Sequence, residues 1–276
     1  MGESPDRPLG LIAGNGIFPR LVASGARAAG VRVVAVAHRG ETDPELEGEV
    51  QACTWVRVGE LGKIIRVLKG AGCVRAVMAG GIAKVKLFGG FRPDLRGAAF
   101  LARTRTLYDD KLLRGIAAEL ESEGIEILPS TEYLPELLPE VGVLGRKKPR
   151  AREREDVAFG RRVARATGAF EIGQTVIVRA GLVLAVEAVE GTDAAIRRGG
   201  ELGRGGAVVV KASKPGQDLR FDVPAVGPNT IELMAEVGAK VLAVESGRTL
   251  LLERDRLVSA ADAAGIVVLA FDPEGA

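Results

Sequence analysis

Eight polar residues between Ile172 and Thr230 stand at the ends of apolar runs: Gln174, Glu187, Glu190, Thr192, Asp193, Lys211, Lys214 and Asp222. Strand ends and the loops beyond them are where a rigid scaffold presents chemistry. Carboxylates can hold a hard cation or orient a water, and lysines can neutralise an anion. Asp222 is the sharpest of the eight. It lies between Phe221 and Val223, just before Pro224, in a short apolar run where a carboxylate is costly to bury without a partner or a metal. The plain alternative is a salt bridge to Lys211, Lys214 or Arg220. In EGTDAAIRR, Thr192 is a natural helix N-cap and Asp193 a first-turn acid. Asp193 would repel a bare phosphate at that terminus, so a ligand role would run through a metal or a sugar hydroxyl. Glu190 is harder to explain as a cap. The motif reads equally as cap and as site.

The remaining composition narrows the chemistry further. His38 is the single histidine of 276 residues, so a multi-histidine metal site is excluded and a Ser-His-Asp or Cys-His device would depend on that one side chain. His38 follows the apolar run VRVVAVA, a position that favours a structural role. Acid–base work and metal binding then fall to carboxylates, and oxygen-only ligation favours Mg²⁺, with Mn²⁺ as the substitute, over zinc. Cys53 and Cys73 sit in or beside apolar runs and read as two buried thiols rather than a disulfide. With 38 basic and 36 acidic residues the net charge is +2, which gives no footprint for nucleic acid. Aromatics at 4% also leave few stacking platforms.

A second candidate lies near the start, where LGLIAGNGIFP places Gly14, Asn15 and Gly16 directly after an apolar strand. Such a turn brings backbone N–H groups toward a phosphate or a ribose at a helix N-terminus. A dinucleotide fingerprint would need Gly or Ala where Pro19 stands, no acidic residue is read after the second strand, and a Walker lysine is absent. A nucleotide fits this turn better than a redox dinucleotide, and a plain tight turn competes with both. An NADP reductase built on Gly14, Gly16 and Arg39 is therefore the weakest reading. In VGELGKII, Glu60 is a first-turn acid, and Lys63 one turn on reads as a phosphate ligand or as a surface lysine.

These residues need elements to hold them. In the first half, strands at 9–13, 31–37, 54–58 and 74–79 alternate with helices over about 17–29, 61–68 and 94–123, the last interrupted near Tyr108; IEIL closes the unit at Leu128. Such alternation implies a parallel sheet covered by helices on both faces. Prolines 129, 135, 139 and 149 and the charged run GRKKPRARERE then break the pattern. The second half opens with a helix over 156–167. A hairpin follows, 175–178 and 182–186, joined by Arg179-Ala180-Gly181. Further strands are expected at 207–211, 240–244, 249–252 and 266–270, and helices at 230–237 and 256–264. The expected fold is α/β in two lobes: a Rossmann-like parallel sheet over 1–135, a linker over 136–155, and a mixed-sheet α/β domain over 156–276.

Taken in order, GLIAGNGIFP, GELGKI, DDKLLRGIA, EIGQT, GLVLAVEAVEGTDAAIRR, KASKPGQDLRFDVPAVGPNTI and GRTLLLERD resemble the UDP-2,3-diacylglucosamine pyrophosphatases of lipid A biosynthesis, the LpxI type. The resemblance covers nearly the whole chain and is most specific from Gly181 to Thr230. It implies a two-lobed enzyme with substrate held between the lobes. It also implies Mg²⁺-dependent hydrolysis of the sugar nucleotide to UMP and 2,3-diacylglucosamine 1-phosphate (lipid X). The family's essential aspartate falls on Asp222, and Glu190, Thr192 and Asp193 come to the same region. Asp222 and Lys214 are thus the expected catalytic residues, and Asp222, Glu190 and Asp193 the expected metal ligands. Gly14, Asn15, Gly16, Lys63, Gln174, Thr192 and Lys211 are the expected substrate contacts. The alternative is a UDP-sugar-binding module that does not turn over. No apolar run approaches the ~20 residues of a membrane span, and MGESPDRP is unlike a signal peptide. A cytoplasmic protein is expected, peripheral at most on the inner membrane, with a homodimer left open.

Overall fold

The computed structural model describes residues 7–82, 93–104, 109–220 and 222–274. The expected helix break at Tyr108 lies outside them. The chain forms two compact units, one of Met1–Pro135 with Asp218–Asp222, the other of Glu136–Gln217 with Val223–Ala276.

The first unit is built on β1 (Leu9–Ala13), β2 (Val33–His38), β3 (Ala52–Val56), β4 (Arg75–Ala79) and β5 (Glu126–Ile127). All pair in parallel, in the order β3-β2-β1-β4-β5. β1 lies in the middle and every residue of it is buried, the continuous apolar run expected of a strand covered on both faces. Helix α1 (Phe18–Ala28) buries Pro19, Val22, Ala23 and Ala26, and α2 (Leu61–Gly70) buries Leu61, Ile64, Ile65 and Leu68. Both sets recur at three- and four-residue spacing, which places one apolar stripe of each helix in the core. Asp94 starts α3 (Leu95–Arg103) by accepting from the Gly97 amide and also accepts from Lys63 N at the start of α2, so one carboxylate caps two helices. Burial alone would raise that carboxyl, but the amides of Gly97, Gly62 and Lys63 outweigh it and hold it below its ordinary value. Helix α4 (Asp109–Glu121) leads into β5.

The second unit has a six-stranded mixed sheet in the order β6-β13-β11-β9-β7-β8. Here β9 (Val208–Lys211), β11 (Val241–Glu245) and β13 (Val267–Phe271) run parallel. β6 (Gly142–Val143) is antiparallel at one edge, and β7 (Thr175–Arg179) with β8 (Leu182–Val186) at the other. Alternation along the strands separates two cores. Val176, Val178, Val208, Val210, Val241 and Ala243 pack with Val157 and Ala164 of α5 (Ala151–Ala169). Ile177, Val209, Leu242 and Val244 pack on the other face with α6 (Thr192–Gly203), α7 (Pro228–Glu236) and α8 (Arg254–Ala264). A short parallel ladder joins β10 (Ala225–Val226) to β12 (Leu250–Leu251).

The fold class is as the sequence implies, a parallel sheet followed by a mixed one. Two details differ. Helix α5 starts at Ala151, inside the charged run, because Glu153 reaches back to accept from the Arg150 amide at 2.6 Å. The hairpin turn is Ala180-Gly181, both left-handed with φ 50° and 76°, and the Asp156 carboxylate of α5 accepts both of their amides at 2.8 and 2.7 Å. Among the described residues no helix is long and apolar enough to cross a membrane.

Candidate active site

In open α/β sheets, ligands bind outside the carboxyl ends of the strands, and each sheet has polar residues there. At the first sheet the Gly-rich turn follows β1. The Gly14 amide donates to the Ala79 carbonyl at 2.8 Å and the Asn15 amide to the Gly81 carbonyl at 2.7 Å. A Cβ on Gly14 would overlap the backbone of Gly80 and Gly81. Glycine is required here because two backbones touch. Gly16, with φ 80° and open space around its α-carbon, completes the turn. The Asn15 side chain donates to Glu41 at 3.1 Å. Glu41 is the acid after the second strand that the sequence reading did not recognise: it follows β2 by three residues, in a turn rather than at the strand end.

His38 ends β2 and is buried. Its Nδ1 lies 2.8 Å from the Ala13 carbonyl, and because a carbonyl only accepts, the ring carries its proton on Nδ1. The Thr42 hydroxyl donates to the same carbonyl at 2.6 Å. Burial pushes the imidazole pKa down, against the opposing pull of the Ala13 carbonyl, Glu41 and Glu60. His38 is a structural pin, as its position in the sequence suggests. Lys63 is also engaged within the unit, its ammonium donating to the Trp55 carbonyl at 3.1 Å and lying 3.8 Å from Glu60. Cys53 and Cys73 are free thiols pushed up by burial, Cys73 to about 11. A thiol in that range is not a nucleophile at neutral pH.

The carboxyl edge of the second sheet is arranged differently. Thr175 of β7 is paired with Lys211 of β9 on one side, and on the other its carbonyl accepts the Glu187 amide at 2.8 Å, one residue past β8. Ile177, Val209 and Ala185 face the core beneath α6 and α7. Two residues further along each strand, Thr175, Lys211 and Glu187 face the same side. They form one row across three strands. Thr192, the first residue of α6, lies over that row: its hydroxyl donates to Glu187 Oε1 at 2.9 Å and accepts from Lys211 Nζ at 3.3 Å. Lys211, 6% exposed, also donates to the Ala225 carbonyl at 3.0 Å. Three of the row's atoms come from strands whose register only the folded sheet supplies. Thr192 is thus a reader of side chains rather than a helix cap, since no side-chain cap bond is made at this helix start.

Not every polar atom along this edge has a partner. Among the described residues, Gln174 Oε1, Thr175 Oγ1 and Glu187 Oε2 are buried with no hydrogen-bond partner. Further along, the buried Glu245 at the end of β11 accepts from both the amide and the hydroxyl of Ser213.

The other expected site residues take separate places. Lys214 pairs with Glu171 at 3.0 Å, and its amide donates to Gln217 at 2.8 Å. Glu190 is held by Arg198 at 2.7 Å. Backbone amides and that guanidinium hold its carboxyl below the ordinary value, with burial opposing them. Asp193 is exposed on the first turn of α6. Asp222 is exposed at the end of the segment that belongs to the first unit, its amide donating to the Asp218 carbonyl at 3.2 Å. In that segment Arg220 gives its guanidinium to Asp218 at 2.8 Å and to Glu121 at 2.7 Å.

Among the described residues, no group of three or more His, Cys, Asp or Glu side chains could hold a metal ion. Mg²⁺ does not require one, because it keeps several waters and commonly takes one or two carboxylates plus phosphate oxygens. Asp222 and Asp193 are exposed carboxylates of the right chemistry. Glu190 fits less well, since Arg198 already neutralises it.

The fold and site define an α/β protein of two units whose second sheet presents lysine, hydroxyl and carboxylate groups at its carboxyl edge. Residues 8–137 match the LpxI N-terminal domain and residues 140–269 the LpxI C-terminal domain, so the chain belongs to the LpxI family. It is 39% identical to the UDP-2,3-diacylglucosamine pyrophosphatase LpxI of Caulobacter vibrioides, over 97% of this chain and 99% of that protein. A solved structure of the biotin carboxylase domain of Hydrogenobacter thermophilus 2-oxoglutarate carboxylase shares 15% identity, with a TM-score of 0.26, over 63% of this chain and 35% of that one. That likeness is too slight to bear on fold or activity.

Proposed function

We propose that this chain hydrolyses the pyrophosphate bond of UDP-2,3-diacylglucosamine, releasing UMP and 2,3-diacylglucosamine 1-phosphate, in lipid A biosynthesis. The observation that carries this reading is the full-length kinship: both family domains match, and the relative of that activity aligns over nearly all of either chain. The chemistry asks for charge neutralisation on the phosphoryl oxygens and for an oriented water. A new P–O bond forms to water, the bridging P–O bond breaks, and a phosphate monoester leaves on either side.

Asp222 orients the attacking water and accepts its proton. An exposed carboxylate at a loop suits that role because solvent water reaches it. Lys214 exchanges Glu171 for a phosphoryl oxygen and stabilises the charge that builds there. Lys211 and Thr192, already bonded to each other, fix the ligand on the second sheet, with Gln174 beside them. The Gly14-Asn15-Gly16 turn contributes through Gly16, and through the Asn15 side chain once it releases Glu41, because the Gly14 and Asn15 amides are engaged by Ala79 and Gly81. Lys63 contributes only by releasing Trp55.

Asp222, Asp193 and Glu190 are the carboxylates that would hold Mg²⁺, which would supply charge neutralisation on the phosphoryl oxygens. Contact with the inner membrane is peripheral. The substrate carries two acyl chains, and Phe170, Ile172, Leu182, Val183 and Val189 expose apolar surface on the second unit.

Purified protein incubated with UDP-2,3-diacylglucosamine and Mg²⁺ should release UMP and the acylated sugar phosphate in equal amounts. EDTA should stop the reaction, and Mg²⁺ or Mn²⁺ should restore it. Absence of UMP would overturn the hydrolase in favour of a binding module. Full activity after metal removal would overturn the Mg²⁺ dependence alone.

A further inference from the structure

The row across the second sheet has an acceptor that motif reading did not assign to the site. Glu187 divides its carboxylate: Oε1 accepts from the Thr192 hydroxyl at 2.9 Å, while Oε2 is buried and has no hydrogen-bond partner among the described residues. Beside it Thr175, 0% exposed, carries a hydroxyl that likewise has none among them. Both side chains face the same side of the sheet as Lys211, and Thr192 closes the group by bridging Glu187 and Lys211. Leaving a buried polar atom unmet is unfavourable, and most native ones are met, so two neighbouring exceptions at the carboxyl end of a sheet call for a ligand that meets them.

The chemistry of these two atoms restricts that ligand. A carboxylate oxygen only accepts, and in a buried setting it repels phosphate, so the group that comes to Glu187 Oε2 is a donor, and a sugar nucleotide offers donors chiefly as hydroxyls. A hydroxyl is the natural complement to Thr175 as well, since each can both donate and accept. We infer that Glu187 and Thr175 bind a sugar hydroxyl of the ligand, and that Glu187 in addition positions Thr192. This rests on the proposed reaction, whose substrate offers sugar hydroxyls from two sources, its ribose and its glucosamine. Lys211 lies at the other end of the row, so the site is polarised, with an acceptor pole for sugar and a cationic pole.

The same observation predicts an unusual pairing of effects. A buried hydroxyl that waits for a ligand destabilises the ligand-free protein, so Thr175→Val should raise its melting temperature by ~2–4 °C while weakening the ligand. Glu187→Gln keeps an acceptor for Thr192 but turns an amide donor toward the ligand's own donor.

The test measures three things on wild type, Thr175→Val and Glu187→Gln: melting temperature without ligand, and affinity for UMP and for 2,3-diacylglucosamine 1-phosphate in detergent by calorimetry. Each variant should lose ~10-fold or more in affinity for one of the two ligands, as expected when a buried hydrogen bond to a hydroxyl is lost. Loss confined to UMP assigns the ribose, and loss confined to the acylated sugar phosphate assigns the glucosamine. Affinities for both ligands within twofold of wild type would overturn the inference and leave the two atoms as tolerated defects of the fold. If Glu187→Gln does not fold, Thr175→Val decides by itself, since valine suits a strand. Turnover by the wild type is measured alongside, so failure of the hydrolase reading is seen separately.

Discussion

The two sheets end in the same kind of edge and meet their polar groups to different degrees. At the first, the Gly14 and Asn15 amides, the Asn15 side chain, the His38 ring, the Thr42 hydroxyl and the Lys63 ammonium all have partners within the unit. At the second, Thr175 Oγ1, Glu187 Oε2 and Gln174 Oε1 are buried without one among the described residues; at the first, the Glu41 carboxylate, held by Asn15 through Oε2, has only Oε1 in that condition. A Gly-rich turn whose own amides are spent on the scaffold has fewer groups left to offer a ligand. What separates scaffold from site is whether the backbone and side-chain groups have already been met by the protein.

The strongest challenge to this contrast is Asp222→Ala. If Asp222 carries the water, turnover should fall ~100-fold or more with ligand affinity and melting temperature little changed. Single-turnover rate, calorimetry and thermal melts on one preparation decide this. A variant that melts lower but still turns over quickly once folded would make Asp222 a structural partner.

The opposite signature is expected at the first edge. Gly14→Ala places a methyl group on the backbone of Gly80 and Gly81 and should cost ~1–3 kcal/mol of stability through forced backbone shifts. Its effect on kcat, measured well below the melting transition, should be small beside that of Asp222→Ala. A stable Gly14→Ala enzyme that has lost substrate affinity would show the turn to be a ligand site after all and would blur the contrast.

The smallest expected effect is in pH. Unfolded, His38 takes a proton near its ordinary value of 6.5; folded, burial holds its pKa lower. Below about 6.5 the unfolded chain therefore binds more protons, so stability falls as pH falls, until the folded imidazole also protonates, and it is flat above. The slope is at most ~1.4 kcal/mol per pH unit. His38 is the single histidine, so His38→Gln should remove the dependence between pH 7 and 5 in urea titrations. Persistence of the slope in that variant would assign it to carboxylates instead.

Much of this was legible in the sequence because its signals are local. β1 falls on the expected residues, and the hairpin of β7 and β8 was visible in alternation plus a Gly turn. The two-residue strands β6 and β10 were not, since a pair of residues has no period to read. At the site, Gln174, Thr192 and Lys211 stood out as polar residues ending apolar runs. Thr175 did not, because it reads as an ordinary β-branched strand residue until register places it between Glu187 and Lys211. Glu190 looked like a free ligand because its Arg198 partner is eight residues on, and the pair forms only where a residue before the helix meets a side chain that reaches back along it. Neither strand register nor the geometry of a helix start can be counted along a single chain.

The segment Asp218–Asp222 carries a consequence for how this protein is born. The Ser130 amide donates to the Arg220 carbonyl at 2.9 Å, and Glu121 takes the Arg220 guanidinium. The first unit is thus interrupted in the chain order. On a ribosome, residues 1–135 emerge long before the strand of chain that completes them, and the whole of 136–217 must be synthesised in between. Vectorial folding, in which an N-terminal domain finishes before the next begins, therefore cannot complete this unit. The first sheet lies within residues 9–127 and can pair early, but the Ser130 amide and the Glu121 carboxylate receive Arg220 only once the later segment has been made.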